Sequence, residues 1–238
     1  MNNQEQLNKI AELEKELLKL KNETKKSVSF SNIKLEDLRK SFTLIEDFET
    51  NFDEWFENDL LVAEETKIFL EKLLEREKNL LKTYNEEDLK VNFLIPIFNR
   101  INFRDDKKHF RAFYEHQLSF ENTNIYLNGT ADFVVGKGFK YLEKPIFFIQ
   151  EFKKGLEYSN PEPQLLAEMI AGLEISNLQK IRGAYIVGTL WNFVILEKRD
   201  NKYFYSISDE FNSKRILELE NIYKNLLFVK NEIVEIIG

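Results

Sequence analysis

Hydrophobic positions recur at helical spacing through the first third of the chain and at strand-like spacing after it. Residues 4 to 22 carry an apolar side chain every three or four positions among Glu, Lys and Asn: Leu7, Ile10, Leu13, Leu17 and Leu20. This spacing predicts an amphipathic helix with the narrow apolar seam of a coiled coil within residues 1–30. Two to three heptads are marginal in isolation, so we expect the helix either to pack on its own domain or to self-associate.

A second helical region is predicted over residues 31–83. The polar stretch NETKKSVSFSN (22–32) is typical of a linker. From Leu35 to about Tyr84, Leu, Phe and Trp recur at helical spacing opposite a face rich in Glu and Lys. We predict two or three helices there, with the aromatic residues in a core and no chemistry.

Residues 84–238 show alternating helix and strand patterns and are predicted to form a third region. In order, the patterns indicate a helix (85–101), three strands (111–121, 124–135, 144–154), a helix (161–176), a strand pair turning near Thr189 (183–198), a strand (202–208) and a C-terminal helix from about Asn212. This order predicts an α/β (α+β) fold with a central mixed β-sheet flanked by helices and preceded by the helical, coiled-coil-like N-terminal region.

Composition narrows the class of protein. The chain has 238 residues, 43% of them hydrophobic and 32% charged, which suits either one globular domain with a sizeable core or one domain with an appendage. It has no cysteine, so disulfides and thiolate metal sites are excluded, and two histidines leave little room for a zinc site. No apolar stretch approaches the ~20 residues of a membrane span, and the polar N-terminus does not resemble a signal peptide. We therefore expect a cytoplasmic protein without membrane contact.

Charged residues interrupt two consecutive apolar strands. Asp132 lies within IYLNGTADFVV (125–135), and Glu151 and Lys153 end PIFFIQEFK (145–153). Strand alternation puts Glu151 and Lys153 on one face, and pairing of the two strands can bring Asp132 opposite them. Two carboxylates and an ammonium suit Mg²⁺-assisted attack on a phosphodiester. The alternative is a partly buried ion pair.

These residues resemble the catalytic signature of the PD-(D/E)XK nuclease superfamily, with Ala131 where a Pro commonly precedes the Asp. The stretch NEEDLKVNFLIPIF (85–98) is similar to the opening helix of the nuclease domain in type I restriction enzyme R (motor) subunits and their stand-alone relatives. PEPQLLAE (161–168) is similar to the helix that follows the E-x-K strand in that branch. The resemblance covers roughly residues 84 to 200.

The resemblance implies a restriction-endonuclease-like core and assigns roles to five residues. Asp132 and Glu151 would be metal ligands, Lys153 the catalytic lysine, Glu86 a further acidic metal ligand and Gln164 an accessory polar group. Glu87 is the fallback for Glu86. The implied cofactor is Mg²⁺, or Mn²⁺. Two alternatives stay open: Glu86 can merely favour the helix dipole, and Gln164 can cap its helix or be exposed.

The implied partner is DNA, although RNA stays open. The formal net charge of −7 opposes broad nucleic-acid binding, but a local basic surface suffices to steer phosphates. Candidate cations are Arg104, Lys107, Lys108, Arg111, Lys137, Lys140, Lys153 and Lys154; for the 104–111 group a solvated loop is the alternative, since Asp105 and Asp106 dilute it. The leading prediction is a DNA endonuclease of the restriction or defence type, with a possible homo-oligomer through the N-terminal helices. The alternative is a catalytically inactive nuclease-fold module that binds or scaffolds through those helices.

Overall fold

The computed structural model describes residues 26–153 and 160–237, together with residues 6, 8–10, 12 and 13. The strands are β1 (Lys26–Ser29), β2 (Leu44–Glu46), β3 (Arg104–Asp105), β4 (Phe110–Glu121), β5 (Ile125–Lys137), β6 (Glu143–Lys153), β7 (Lys180–Val187), β8 (Leu190–Arg199), β9 (Lys202–Ile207) and β10 (Phe211–Asn212). The helices are α1 (Leu35–Ser41), α2 (Asp53–Phe56), α3 (Glu64–Glu77), α4 (Glu86–Leu89), α5 (Ile95–Ile101), α6 (Pro161–Ser176) and α7 (Ile216–Ile237).

All of these strands join one mixed sheet, in the order β2-β9-β8-β7-β6-β5-β4-β3, with β1 added beside β5 and β10 beside β8. The β4–β5, β5–β6, β7–β8 and β8–β9 pairs are antiparallel, whereas β6 and β7 run parallel and are connected through α6. The crossover helix is needed because parallel neighbours cannot be joined by a tight turn. The predicted α/β fold with a mixed sheet flanked by helices is confirmed.

Strand alternation sends the sheet's side chains into two cores. On one face, an aromatic core that includes Phe133, Phe148 and Phe152 packs against α2, α3, α5 and α7. On the other face, Val134 and Ile149 pack against α1 and α6. Helix α6 is buried at nearly every position from Pro161 to Leu173, which explains its apolar sequence on all sides.

One edge of β5 is divided between two partners. Its first residues pair with β1 (Ser29 opposite Asn128), and its last ones pair with β6 from Phe133 onward, while β4 follows the other edge. Residues 129–132 therefore have no strand neighbour on this edge within the described structure. A side chain from this gap can replace the missing backbone hydrogen bonds, and Asp132 lies at its end.

Two secondary-structure predictions are wrong in the first third of the chain. The polar stretch expected to be a linker contains β1 and a 3₁₀ turn whose Phe30 is fully buried. Phe30 packs so closely on Gly129 that a Cβ there would lie 2.8 Å from Phe30 Cδ2. Residues 44–46, expected to be helical, form β2 beside β9. In both places, pairing with a distant strand overrides the local pattern.

The predicted coiled coil lies largely outside the described residues. Positions 6, 8–10, 12 and 13 are helical, and Ile10 and Leu13 are exposed. No helix in the described part of the chain combines the length and apolar character that crossing a membrane requires.

Candidate active site

Asp132 and Glu151 face each other where the β5–β6 ladder stops. The backbone ladder ends at the pair Phe133–Gln150. Continued by one residue, the same register puts Asp132 opposite Glu151. In place of a backbone carbonyl, Asp132 Oδ2 accepts the Phe152 N–H at 2.8 Å. Both side chains are buried, Glu151 almost completely. The structure therefore brings together the two carboxylates predicted as metal ligands.

Lys153 lies beside Glu151, two positions along β6. Its Nζ donates to Glu151 Oε1 at 2.6 Å, and its side chain is 17% exposed. Because the two residues share a face of the strand, the ammonium reaches the carboxylate without distorting the backbone. The predicted lysine therefore sits at the site with its charge paired to one carboxylate.

Helix α6 adds Gln164 and Glu168 to the site. Gln164 Nε2 donates to Glu168 Oε1 at 3.1 Å, an i, i+4 contact between two buried side chains. Asn160 caps the helix by accepting the Glu162 N–H. Gln164 is thus neither a cap nor exposed; it orients a second buried glutamate that responds to the charges of Glu151 and Asp132.

A second lysine, Lys90, holds Asp132 from the other side. Its Nζ lies 2.8 Å from Asp132 Oδ1, 2.9 Å from Glu115 Oε1 and 3.6 Å from Glu86 Oε1. Its side chain is only 10% exposed. Glu86, predicted as a metal ligand, begins α4 and ion-pairs with Lys90, so it reaches Asp132 through that lysine. Glu87 is exposed.

Two backbone irregularities place these groups. Lys90 opens a π turn (Lys90–Leu94) between α4 and α5, and such turns are frequent at functional sites. Glu115 has φ +47° inside β4, a left-handed conformation that non-glycine residues rarely adopt in a strand. It lies opposite Asp132, between the pairs Tyr114–Phe133 and His116–Ala131. Both irregularities bring a charged side chain to the Asp132 carboxylate, and such backbone departures are common at functional sites.

Burial and neighbouring negative charges raise the pKa of two carboxyls of this site, Glu151 and Glu168. Burial first, and then the negative charge of Asp132, raise the pKa of Glu151 to about 8 against the opposing pull of Lys153. Burial and the charge of Glu151 raise the pKa of Glu168 well above its usual value. Burial lowers the pKa of Lys153, but the charge and hydrogen bond of Glu151, together with the charges of Asp132 and Glu86, raise it overall. Lys153 is therefore an ammonium at neutral pH in the metal-free protein.

Within the described part of the chain, two buried carboxyl oxygens of the site lack a hydrogen-bond donor: Glu151 Oε2 and Glu168 Oε2. The other unpartnered buried side-chain atoms in the described residues belong to Gln150, Trp191 and Asn225, and Gln150 lies on the opposite face of β6 from Glu151. Leaving such a group unsatisfied costs about 1–3 kcal/mol. A cation would relieve this cost at Glu151.

The residues fit a sparsely coordinated Mg²⁺ and not a closed protein cage. In the described ranges, no three His, Asp or Glu side chains are arranged to hold a metal ion. Mg²⁺ commonly uses one or two carboxylates and completes its shell with water and substrate phosphates. Asp132 and the free Oε2 of Glu151 satisfy that requirement.

The surroundings of the site offer polar groups more than positive charge. A groove of about 480 Å³ on the β4–β5 ribbon begins at Gln117 and Gly129, two and three positions from Glu115 and Asp132, and is lined by Leu118, Ser119, Tyr126 and Asn128 as well. Three of the four cations in the predicted 104–111 cluster are engaged by their own chain: Arg104 with Asp106, Lys108 with the Val234 carbonyl and Arg111 with the Phe139 carbonyl. Lys154 lies outside the described residues.

Sequence reasoning assigned no role to Lys90, Glu115 or Glu168. For two of them a signal existed: Glu86 and Lys90 are four apart, as are Gln164 and Glu168, and Glu168 interrupts an otherwise apolar helix. Glu115 carried no signal, because only the fold brings β4 beside Asp132.

A scan against protein-family models finds no match for the chain. A search of curated proteins likewise finds no significant match.

Proposed function

We propose that this chain is a metal-dependent nuclease that hydrolyses phosphodiester bonds, most consistent with a DNA endonuclease of the restriction or defence type. The observation that carries the proposal is the meeting of Asp132, Glu151 and Lys153 at the end of one strand pair, with a buried glutamate oxygen left without a donor. On this proposal the sheet and its helices form a restriction-endonuclease-like core, and the absence of cysteine suits a cytoplasmic location.

Each residue has a distinct task in the proposed reaction. Asp132 and Glu151 would hold Mg²⁺, which when bound polarises the scissile phosphate and stabilises the departing oxygen. Lys153, an ammonium at neutral pH, donates hydrogen bonds that orient the attacking water or a phosphate oxygen. Gln164 keeps Glu168 in place behind Glu151, and the Phe152 N–H fixes the rotamer of Asp132.

The proposal is tested by cleavage of plasmid, linear and single-stranded DNA and of RNA, with Mg²⁺, Mn²⁺ or EDTA. We expect metal-dependent cutting by the wild type and none by Asp132→Ala, because that change removes a metal ligand. Asp59→Ala, an exposed carboxylate away from the site, is the control and should cut normally. Cutting in EDTA, or by Asp132→Ala, would contradict the assignment, and the preferred polymer identifies the substrate class.

A second candidate function is a nuclease-fold module that binds without cutting. The ammonium of Lys90 supports it, because a cation already lies 2.8 Å from the Asp132 carboxylate. The net charge of −7 also favours this candidate. Nucleic-acid binding in fluorescence anisotropy, combined with no cleavage under any metal condition, would establish it.

The N-terminal helix is proposed to assemble the chain into an oligomer. A deletion should end at residue 25, because β1 begins at Lys26 and pairs with β5. We expect the deletion to reduce the number of chains per particle, measured by size exclusion with light scattering. An unchanged number would mean that the helix docks on its own chain.

A further inference from the structure

Lys90 places a permanent positive charge where the proposed metal would also lie. Its ammonium contacts Asp132 Oδ1 at 2.8 Å and Glu115 Oε1 at 2.9 Å. The other Asp132 oxygen accepts the Phe152 N–H and keeps one lone pair, so a metal on either oxygen of this carboxylate lies close to the Lys90 ammonium. Two cations on one carboxylate repel each other strongly in a poorly hydrated site.

The placement of Lys90 is built into the fold. The side chain is 10% exposed, and its Nζ also lies 5.6 Å from the centroid of the Phe152 ring, which gives a further attractive contact. The π turn and the left-handed Glu115 bring the ammonium and its second carboxylate to Asp132. An exposed lysine that pairs by chance would need neither irregularity.

We propose that Lys90 is a resident cation that competes with the divalent metal for Asp132, so that metal binding requires its ammonium to move off Oδ1. This inference rests on the proposed metal site. In the metal-free protein, Lys90 offsets the repulsion among Asp132, Glu115 and Glu86. When a divalent ion binds Asp132, the ammonium retains Glu115 and Glu86, which are 59% and 39% exposed and lead toward solvent.

The test measures Mn²⁺ binding by isothermal titration calorimetry, which needs no substrate and no turnover. We expect Lys90→Met to bind Mn²⁺ at least 10-fold more tightly than the wild type, and Lys90→Met/Asp132→Asn to lose that binding. Lys198→Met is the matched control: it removes an equally charged lysine, paired with Glu174 at 2.6 Å, and should bind like the wild type. In EDTA, Lys90→Met should also melt at a lower temperature than the wild type, and added Mn²⁺ should remove this difference in melting temperature.

Two results would overturn the inference and can be told apart. If the wild type binds Mn²⁺ through Asp132 and Lys90→Met binds no more tightly, Lys90 is not a competitor, whereas the proposed metal site survives. If neither protein binds Mn²⁺, both the inference and the metal site fail. Should Lys90→Met not fold, Glu115→Gln replaces it: this change removes the carboxylate that the displaced ammonium retains, so it should weaken Mn²⁺ binding, and unchanged or tighter binding contradicts the inference.

Discussion

Two groups of buried charges lie in the same sheet and are satisfied to different degrees. Arg182 on β7 makes two parallel hydrogen bonds to Glu232, at 2.8 and 2.9 Å, and its guanidinium lies over the rings of Trp55 and Phe228. At the Asp132 site, by contrast, Glu151 and Glu168 each keep a buried oxygen without a donor. Arg182 is held as a structural ion pair is held, with planar bidentate geometry and aromatic stacking.

The difference separates charges that stabilise the fold from charges that are available for chemistry. At Arg182, within the described structure, neither Glu232 nor Glu54 keeps a buried oxygen without a donor, so an added cation would find no free buried carboxylate oxygen there. Around Glu151 three carboxyls share one region, the pKa values of Glu151 and Glu168 are raised, and each of these two keeps a buried oxygen without a donor among the described residues. A site that binds a charged ligand must leave such capacity unused in the free protein. The following predictions test this contrast.

The largest effect is expected on catalysis. Lys153→Ala should lower turnover by roughly 100- to 10,000-fold while leaving the fold intact, because it removes a charged donor at the reacting centre. Steady-state cleavage rates and circular dichroism measure the two quantities. Lys198→Ala, which also breaks a lysine–glutamate pair, should cut at the wild-type rate. Wild-type turnover in Lys153→Ala would remove this residue from the mechanism.

For stability we expect the opposite order: the Arg182 group contributes more to the free energy of unfolding than the Asp132 site does. Arg182→Leu should lower the free energy of unfolding by roughly 3 kcal/mol, because it leaves Glu232 unpaired and removes the stacking on Trp55. Urea denaturation provides the measurement. The exposed pair of Arg104 and Asp106 offers the comparison, since Arg104→Leu should cost under about 1 kcal/mol. Equal costs for the two variants would mean that burial does not distinguish them.

A smaller effect on the free energy of unfolding, with a defined pH dependence, is expected for a change at Glu151. Its pKa rises from 4.5 to about 8 on folding, so its contribution to stability is complete below 4.5 and is lost as the pH rises through about 8. In EDTA, Glu151→Gln should therefore gain about 1–3 kcal/mol over the wild type as the pH rises from about 5 to 9. Denaturation series at several pH values test this.

The control for the pH series is Glu64→Gln, whose carboxylate lies on the exposed side of α3. It should follow the wild type at every pH. If Glu151→Gln also follows the wild type, then the Glu151 carboxyl is ionised at neutral pH and the contrast with the Arg182 group is smaller than the structure indicates.

Much of the architecture could be predicted from the sequence because it depends on residues that are close together along the chain. Helix α6 spans residues 161–176, as its apolar run between Pro161 and Asn177 predicted, and β5 and β6 were recognisable as apolar strands. Pairing of those two strands as consecutive antiparallel neighbours can bring Asp132 near Glu151, and alternation alone puts Lys153 on the same face as Glu151. These three residues are local consequences of period and order.

Tertiary structure decided the rest. Lys90 reaches Asp132 across 42 positions of the chain, and Glu115 reaches Lys90 across 25. The pairing of β1 with β5, which turned a predicted linker into a strand, leaves the gap that Asp132 fills. Such contacts depend on how whole elements pack, and a periodicity measured over ten or fifteen residues holds no record of that packing. The strand pattern therefore identified Asp132 on β5 and Glu151 and Lys153 on β6, whereas only the packing of whole elements brought Lys90 to Asp132.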